Sequence, residues 1–444
     1  MRQIFIALVL LCALNLFNFA SAASESVTLF KNVRLFDGKS SSLTPARQVL
    51  VRGNRIEKIS VGEISVETSE NNTIIDGAGR TLMPGLIDSH VHLAMSDISM
   101  TRLMTGDANY ATLVSAKAAE RMLLRGFTSA RDASGPVFGL KQAIDEGLLP
   151  GPRIWPSGAM ISQTSGHGDF RTLHDIPAAE NDLHSTERLG YAAVADGQAR
   201  VLRRVREQLM QGASQIKLAA GGGVSSFYDP IDVTQYTESE IRAAVEAAEN
   251  WGTYVMVHAY TPKAIKTAIR AGVKNIEHGQ LANEEAIRLM AEKGIWLGIQ
   301  PFLGDPDPRF PEGSAGYLKK QMVATGTDNA IKLAKKHKVR LAWGTDILFS
   351  DHEAKAQNDR LVVMQRWFKP AEVLRLATST NAELLALSGP RNPYPGKLGV
   401  VEEGALADLL LVDGNPLEDI ELIKNPERNF VIIMKDGKIY KNSL

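Results

Sequence analysis

His90 and His92 stand two positions apart in the segment Leu86-Ile87-Asp88-Ser89-His90-Val91-His92-Leu93. On an extended strand, alternation turns both imidazoles to one face, where two neutral nitrogens could hold a divalent cation. An isolated pair can equally be two polar side chains at a strand end. His258 closes the apolar run Tyr254-Val255-Met256-Val257-His258, and His278 stands in Asn275-Ile276-Glu277-His278-Gly279. The 20 residues separating them accommodate one crossover helix, so adjacent strand tips could aim both into one site. Asp346 follows Arg340-Leu341-Ala342-Trp343-Gly344-Thr345. A carboxylate at a strand tip can ligate a metal or move a proton in metal-assisted hydrolysis; otherwise it is a helix cap. Lys217, inside Gln215-Ile216-Lys217-Leu218-Ala219, must find a partner, change its charge state or reach the rim, because an isolated ammonium in an apolar strand is costly.

These side chains can meet only if their segments are parallel strands whose C-terminal ends share a rim. From about Leu86 to Ala386, apolar runs alternate with helical segments and glycine-bearing turns, the rhythm of β-α units. Eight candidate strands follow: Leu86 to Leu93, Phe127 to Arg131, Arg153 to Ser157, Gln215 to Ala219, Tyr254 to Ala259, Asn275 to His278, Ile295 to Gln300 and Val339 to Gly344. Eight closes a barrel, and a doubly wound sheet is the alternative. Glu238 to Asn250 predicts a covering helix with Ile241, Ala244, Val245 and Ala248 on one side, opened by a Thr237/Glu240 capping box. Pro262 and Gly272 bracket the next crossover helix.

The two ends of the chain read differently. Val27-Thr28-Leu29-Phe30 and Val49-Leu50-Val51-Arg52, punctuated by Asp37-Gly38 and Gly53-Asn54, predict strands and turns. Ala407 to Val412 and Phe430 to Met434, followed by a turn at Lys435-Asp436-Gly437-Lys438, predict a second set. Because a lone hairpin is marginal, the two sets are expected to pair as one β unit.

Ahead of them, Arg2, the apolar run Ile4 to Leu16 and the small residues Ala20-Ser21-Ala22 predict an export signal over residues 1–22. The run is shorter than the roughly 20 residues of a membrane helix, so no stable membrane anchor is expected. Cys12, the only cysteine, falls within that signal, and the mature chain therefore has no thiolate nucleophile, cysteine-ligated metal or disulfide. With 444 residues, 44% hydrophobic and 23% charged, the chain is globular rather than disordered or collagenous. Lys+Arg and Asp+Glu both number 50, which disfavours a nucleic-acid partner. The absence of a Gly-x-Ser-x-Gly elbow leaves serine chemistry without support.

Together, His90, His92, Lys217, His258, His278 and Asp346 resemble the amidohydrolase superfamily. Its members place an HxH pair on barrel strand 1, a carboxylated lysine on strand 4, histidines on strands 5 and 6, and an aspartate on strand 8. The resemblance covers the mature chain and implies a (β/α)8 TIM-like barrel over 85–389, with a small β-sandwich domain formed by 23–84 and 390–444. It further implies two divalent metal ions, most commonly Zn2+. His90, His92 and Asp346 would hold one, His258 and His278 the other, with CO2-carboxylated Lys217 bridging them. A bridging hydroxide would then attack the scissile carbonyl while Asp346 passes its proton to the leaving amine.

Gly166-His167-Gly168-Asp169, Gly221-Gly222-Gly223-Val224 and His258-Ala259-Tyr260 resemble the prolidase-like metal carboxypeptidase branch, which includes Xaa-Pro dipeptidases, N-acyl amino acid hydrolases and bacterial ochratoxin A hydrolases. The resemblance implies a small-molecule amide or dipeptide substrate with a free carboxylate and a homo-oligomer, an octamer in many relatives, while the export signal predicts a periplasmic or secreted location. His167 is a candidate donor to the scissile carbonyl or the substrate carboxylate. Gly222 and Gly223 are expected to let substrate approach the backbone, Tyr228 and Tyr260 to donate to a carboxylate, and Phe302 to line an apolar pocket. Where relatives place arginine near Tyr228, this chain has none, which favours an aromatic substrate wall over strict dipeptide specificity. Hydrolysis of a cyclic amide, as in imidazolonepropionase-like relatives, and a non-catalytic periplasmic binding protein are the alternative functions.

Overall fold

The computed structural model describes residues 26–67, 72–179 and 182–444. The export signal and Cys12 lie outside the described residues. No described helix is long and apolar enough to cross a membrane.

The barrel strands are short and buried at every position but Arg340, and buried polar residues such as Asp88, Arg131 and Glu277 sit among their apolar ones. In chain order they are Leu86–Val91, Phe127–Asp132, Arg153–Pro156, Ile216–Ala219, Val255–Ala259, Asn275–His278, Trp296–Ile299 and Arg340–Trp343. Neighbours pair in parallel, with Ala219 opposite His258 and Ala259 opposite His278. That register sets the two histidines on adjacent strand ends. Helices pack outside; Glu238–Glu249, capped by Thr237 and Glu240, buries Ile241, Ala244, Val245 and Ala248 against the barrel. In the next crossover helix, Pro262–Ala271, Gly272 terminates the helix in the left-handed region at φ 100°.

Two features depart from an even eight-strand wall. The third strand is broken at Gly158: Arg153–Pro156 pairs with Phe127–Asp132, whereas Met160–Ser162 pairs with Ile216–Ala219 and with an additional strand, Ala192–Val194. The wall is therefore carried by two hydrogen-bonded sheets, one of three strands and one of seven. At the other seam, first and last strands are joined by side chains: Ser89 Oγ donates to the Trp343 carbonyl at 2.7 Å, and Asn381 Nδ2 donates to the carbonyls of Ile87 and Trp343 at 2.8 Å each. Gly344 is obligatory there, because a Cβ would stand 2.6 Å from the His90 Cβ and 2.7 Å from its backbone nitrogen.

Strands from both chain ends form a separate eight-stranded mixed sheet. Leu409–Val412 joins them, pairing antiparallel with Thr81–Pro84 on one side and with Phe430–Lys435 on the other. The last hairpin turns on Asp436 and Gly437, both at positive φ, in the two-residue form that matches strand twist. Arg153, from the barrel, inserts between Asp408 and Asp436 with donor distances of 2.8 and 2.6 Å, tying this sheet to the barrel floor.

Candidate metal centre

The strand ends bring His90, His92 and Asp346 to one point. His90 and His92 extend from the first strand, and their Nε2 atoms lie 3.3 and 3.0 Å from Asp346 Oδ1. One ligand atom from each of the three residues falls within 4.8 Å of the other two. Asp346 attains this position with φ of 54°, its backbone N–H donating to the His90 carbonyl at 2.8 Å. His278 is likewise at positive φ, 77°. Such backbone strain in non-glycine residues persists only where surrounding structure enforces it, and it concentrates at functional sites.

Each histidine has one ring nitrogen engaged by a protein group, which fixes its ring; in His278 that nitrogen also lies 3.9 Å from Asp346 Oδ2. His90 Nδ1 lies 2.6 Å from Glu277 Oε2, His92 Nδ1 lies 3.3 Å from the Ser134 carbonyl, and His278 Nδ1 lies 2.7 Å from Gln300 Oε1. His258 is turned the other way, with Nε2 2.9 Å from the Gly222 carbonyl. The rings of His258 and His278 are 4.4 Å apart, and those of His278 and His90 5.1 Å. Lys217 Nζ is 3.3 Å from His90 Nε2. The residues expected to hold metal therefore share one buried cluster.

Electrostatics favour a metal-ready set. Burial pushes the Lys217 ammonium down to about 8, outweighing the carboxylates of Glu277 and Asp346. Burial likewise lowers His92, His258 and His278 toward the neutral form a ligand needs, whereas at His90 burial and Lys217 are outweighed by the carboxylates of Asp346 and Glu277, which raise it. Burial opposes ionisation of Asp346, but His90 and then His92 hold that carboxyl well below its usual range. Two imidazole nitrogens and a carboxylate oxygen, backed by oriented partners, form a donor set that fits Zn2+ or a similar divalent ion, which would take the place of the proton now favoured on His90.

The centre opens into a cleft whose space is about 880 Å3 including its solvent-filled mouth. Met95, Met160, Phe170, Tyr260, Phe302 and Phe349 contribute an apolar lining, which His167 joins. The His167 ring stacks on His258 with centroids 4.1 Å apart, while its Nδ1 lies 2.7 Å from Ser226 Oγ.

The loop after the fourth strand differs from its expected use. The space a Cβ would take at Gly223 is filled by the His167 ring, 1.9 Å from that point, and at Gly222 by the Pro230 carbonyl, 1.8 Å away. These glycines admit the protein's own groups rather than leaving an open wall for substrate. Tyr228 lies outside the cleft lining and is 48% exposed, beside the Phe227 ring. Sequence reading also missed Glu277 and Arg131, a wholly buried ion pair behind His90. The signal that marked Lys217 was present at both: a charge inside a short buried strand.

A sequence model of the amidohydrolase family matches residues 81–440. Among curated proteins, ochratoxinase of Aspergillus niger is 34% identical over 376 residues, covering 81% of this chain and 75% of that protein. A crystal structure of a prolidase complexed with N-methylphosphonate-L-proline is 35% identical, with a TM-score of 0.83 over 94% of this chain and 100% of the other. A crystal structure of a Xaa-Pro dipeptidase with bound methionine is 31% identical, with a TM-score of 0.79 and the same coverage.

Proposed function

The chain belongs to the amidohydrolase family, and from that membership we propose that it hydrolyses the amide bond of N-acyl amino acids or dipeptides bearing a free C-terminal carboxylate. It is a metal-dependent amidohydrolase. The observation that carries the finer reading is the meeting of His90, His92 and Asp346 with Lys217 and two further histidines at the base of one cleft. The names of the ochratoxinase, prolidase and Xaa-Pro dipeptidase relatives support the substrate class.

In this reading His90, His92 and Asp346 would hold one ion and His258 and His278 a second, with Lys217, if carboxylated, supplying further oxygen ligands. Zn2+ is the ion that the nitrogen-rich set favours. Bound metal supplies Lewis acidity to the substrate carbonyl and acidifies water at neutral pH. Asp346, held ionised, accepts a proton from the attacking water and returns it to the leaving nitrogen. His167, in the cleft lining, donates to the carbonyl oxygen as negative charge develops there. The apolar lining around them excludes water from the reacting bond. A periplasmic or secreted location, supported by the leader at residues 1–22, and a homo-oligomeric state complete the proposal.

A mass-spectrometric screen of N-acyl amino acids and dipeptides tests it, with metal-loaded wild type beside Asp346→Asn. The expected result is release of free amino acid by wild type and loss of turnover in the variant. Equal turnover by both overturns the role of Asp346, and no release by the metal-loaded wild type across the panel overturns the substrate class.

A further inference from the structure

Outside the metal cluster, the charged side chains on the described cleft wall are Asp307, Arg309 and Lys320. All three belong to one stretch of chain, the loop after Trp296–Ile299 and the first turns of the helix Ala315–Lys336. Arg309 takes up both oxygens of Asp307, Nε donating to Oδ1 at 2.9 Å and Nη2 to Oδ2 at 2.7 Å. Although burial opposes it, this clamp holds Asp307 at about 2, so the anion is fixed and spent. Lys320 is then a surplus cation. Its Nζ donates to the Asp305 carbonyl at 2.6 Å and lies 3.4 Å from Asp307 Oδ2, which leaves it one N–H.

The surplus charge is tied to the loop that carries Asp346: Arg309 Nη1 donates to the Leu348 carbonyl at 2.6 Å, two residues beyond Asp346, whereas the His167 ring stacks on His258. Because Asp346 serves the leaving nitrogen in the reaction proposed above, this wall is assigned to the leaving group. The same wall is apolar around the cation. Val323 follows Lys320 by one helical turn, and the Phe310 ring packs against Arg309 with 5.4 Å from guanidinium to centroid. A half-buried cation framed by an aliphatic and an aromatic group recognises a carboxylate attached to a bulky apolar group.

We infer that this wall is a carboxylate subsite in which Lys320 contacts the substrate directly and the Asp307–Arg309 clamp positions it. It selects amides whose leaving amine is an α-amino acid with a large apolar side chain. The inference rests on the amide-hydrolase reading above for its orientation and deepens it by assigning the anchor and the side-chain class.

The test is calorimetric binding to metal-loaded full-length enzyme of 3-phenylpropionate and of its neutral counterpart, 3-phenylpropanamide, for wild type, Lys320→Met and Lys320→Arg. Wild type is expected to prefer the acid at least tenfold, Lys320→Met to lose most of that preference, and Lys320→Arg to retain it. A preference undiminished in Lys320→Met, as a carboxylate seated on the metal would give, overturns the subsite. Loss of the preference in both variants also overturns it, since restoring the charge should restore recognition. A parallel measurement of kcat and KM on N-acyl-phenylalanine and N-acyl-glycine should show the lower KM for phenylalanine; equal values overturn the apolar selection. An acid preference in wild type that Lys320→Met loses and Lys320→Arg keeps, without any hydrolysis, removes the enzyme reading and spares the anchor, whereas hydrolysis with the preference undiminished in Lys320→Met removes the anchor and spares the reaction.

Discussion

Glu277 Oε2 lies 2.6 Å from His90 Nδ1, and the other oxygen of the same carboxylate is bonded to Arg131. The carboxylate therefore fixes the imidazole with Nε2 turned to His92 and Asp346, and its own charge is balanced by a guanidinium rather than by the metal site. All three side chains are wholly buried. Although burial opposes ionisation, Arg131 and His90 hold Glu277 below the usual carboxylate range.

Replacing Glu277 by Gln should weaken metal binding by about 10–100-fold, the usual cost of losing a partner behind a ligating histidine. Competitive chelation of folded protein measures it. Arg131 would also lose its counter-charge, so the variant should be less stable by about 3–5 kcal/mol in denaturant unfolding.

Gly223→Ala separates the cleft wall from the metal centre. Its Cβ would stand 1.9 Å from His167 Nδ1 and must displace that ring. Metal content by elemental analysis should remain at the wild-type level, with kcat falling by about 10²-fold if His167 stabilises the developing oxyanion.

Lys217 supplies a prediction about carbon dioxide. Burial places its ammonium at about 8, so a sizeable share of the amine is unprotonated in mildly alkaline solution. Metal loading of apoprotein should be more complete with added bicarbonate at about pH 8.5 than without it, because a carbamate oxygen ligates where an ammonium repels. Lys217→Met should show no bicarbonate dependence, read as metal bound per chain.

The Asp307–Arg309 clamp predicts an acid response. Asp307 is lowered from its ordinary 3.8 to about 2, so its contribution to stability is complete above pH 4 and is lost as pH falls from there through 2. The difference in Tm between wild type and Asp307→Asn should be full at about pH 5 and shrink toward zero at about pH 2.

The strands were legible because most carry a short local apolar run between turn signals. Asn275–His278 was placed to the residue, and the other seven barrel strands to within two residues at either end. Parallel pairing then carried His258, His278 and Asp346 to a common rim without any knowledge of loops. The break at Gly158 was not legible, since Met160–Ser162 gains its partners from Ile216–Ala219 and Ala192–Val194, far along the chain. Nor was the fate of the glycine loop: only the folded chain brings the Pro230 carbonyl to Gly222 and the His167 ring to Gly223. The place of Tyr228, 48% exposed and off the cleft lining, is likewise set by the loop rather than by its residue type. Glu277 and Arg131 carried a local signal, but which charge each would neutralise depends on strand neighbours.

The joint between Leu86–Val91 and Arg340–Trp343 gives the chain a temporal property. His90 and His92 are synthesised some 250 residues before Asp346, and the three come together only where Gly344 passes His90 and Asn381 bridges both strands. A ribosome-bound or prematurely terminated chain that lacks the last strand carries most of the ligands but no assembled trio. Its hydrolytic power is thus withheld until nearly the whole polypeptide has emerged, and proteolytic loss of that final segment silences every upstream residue at once.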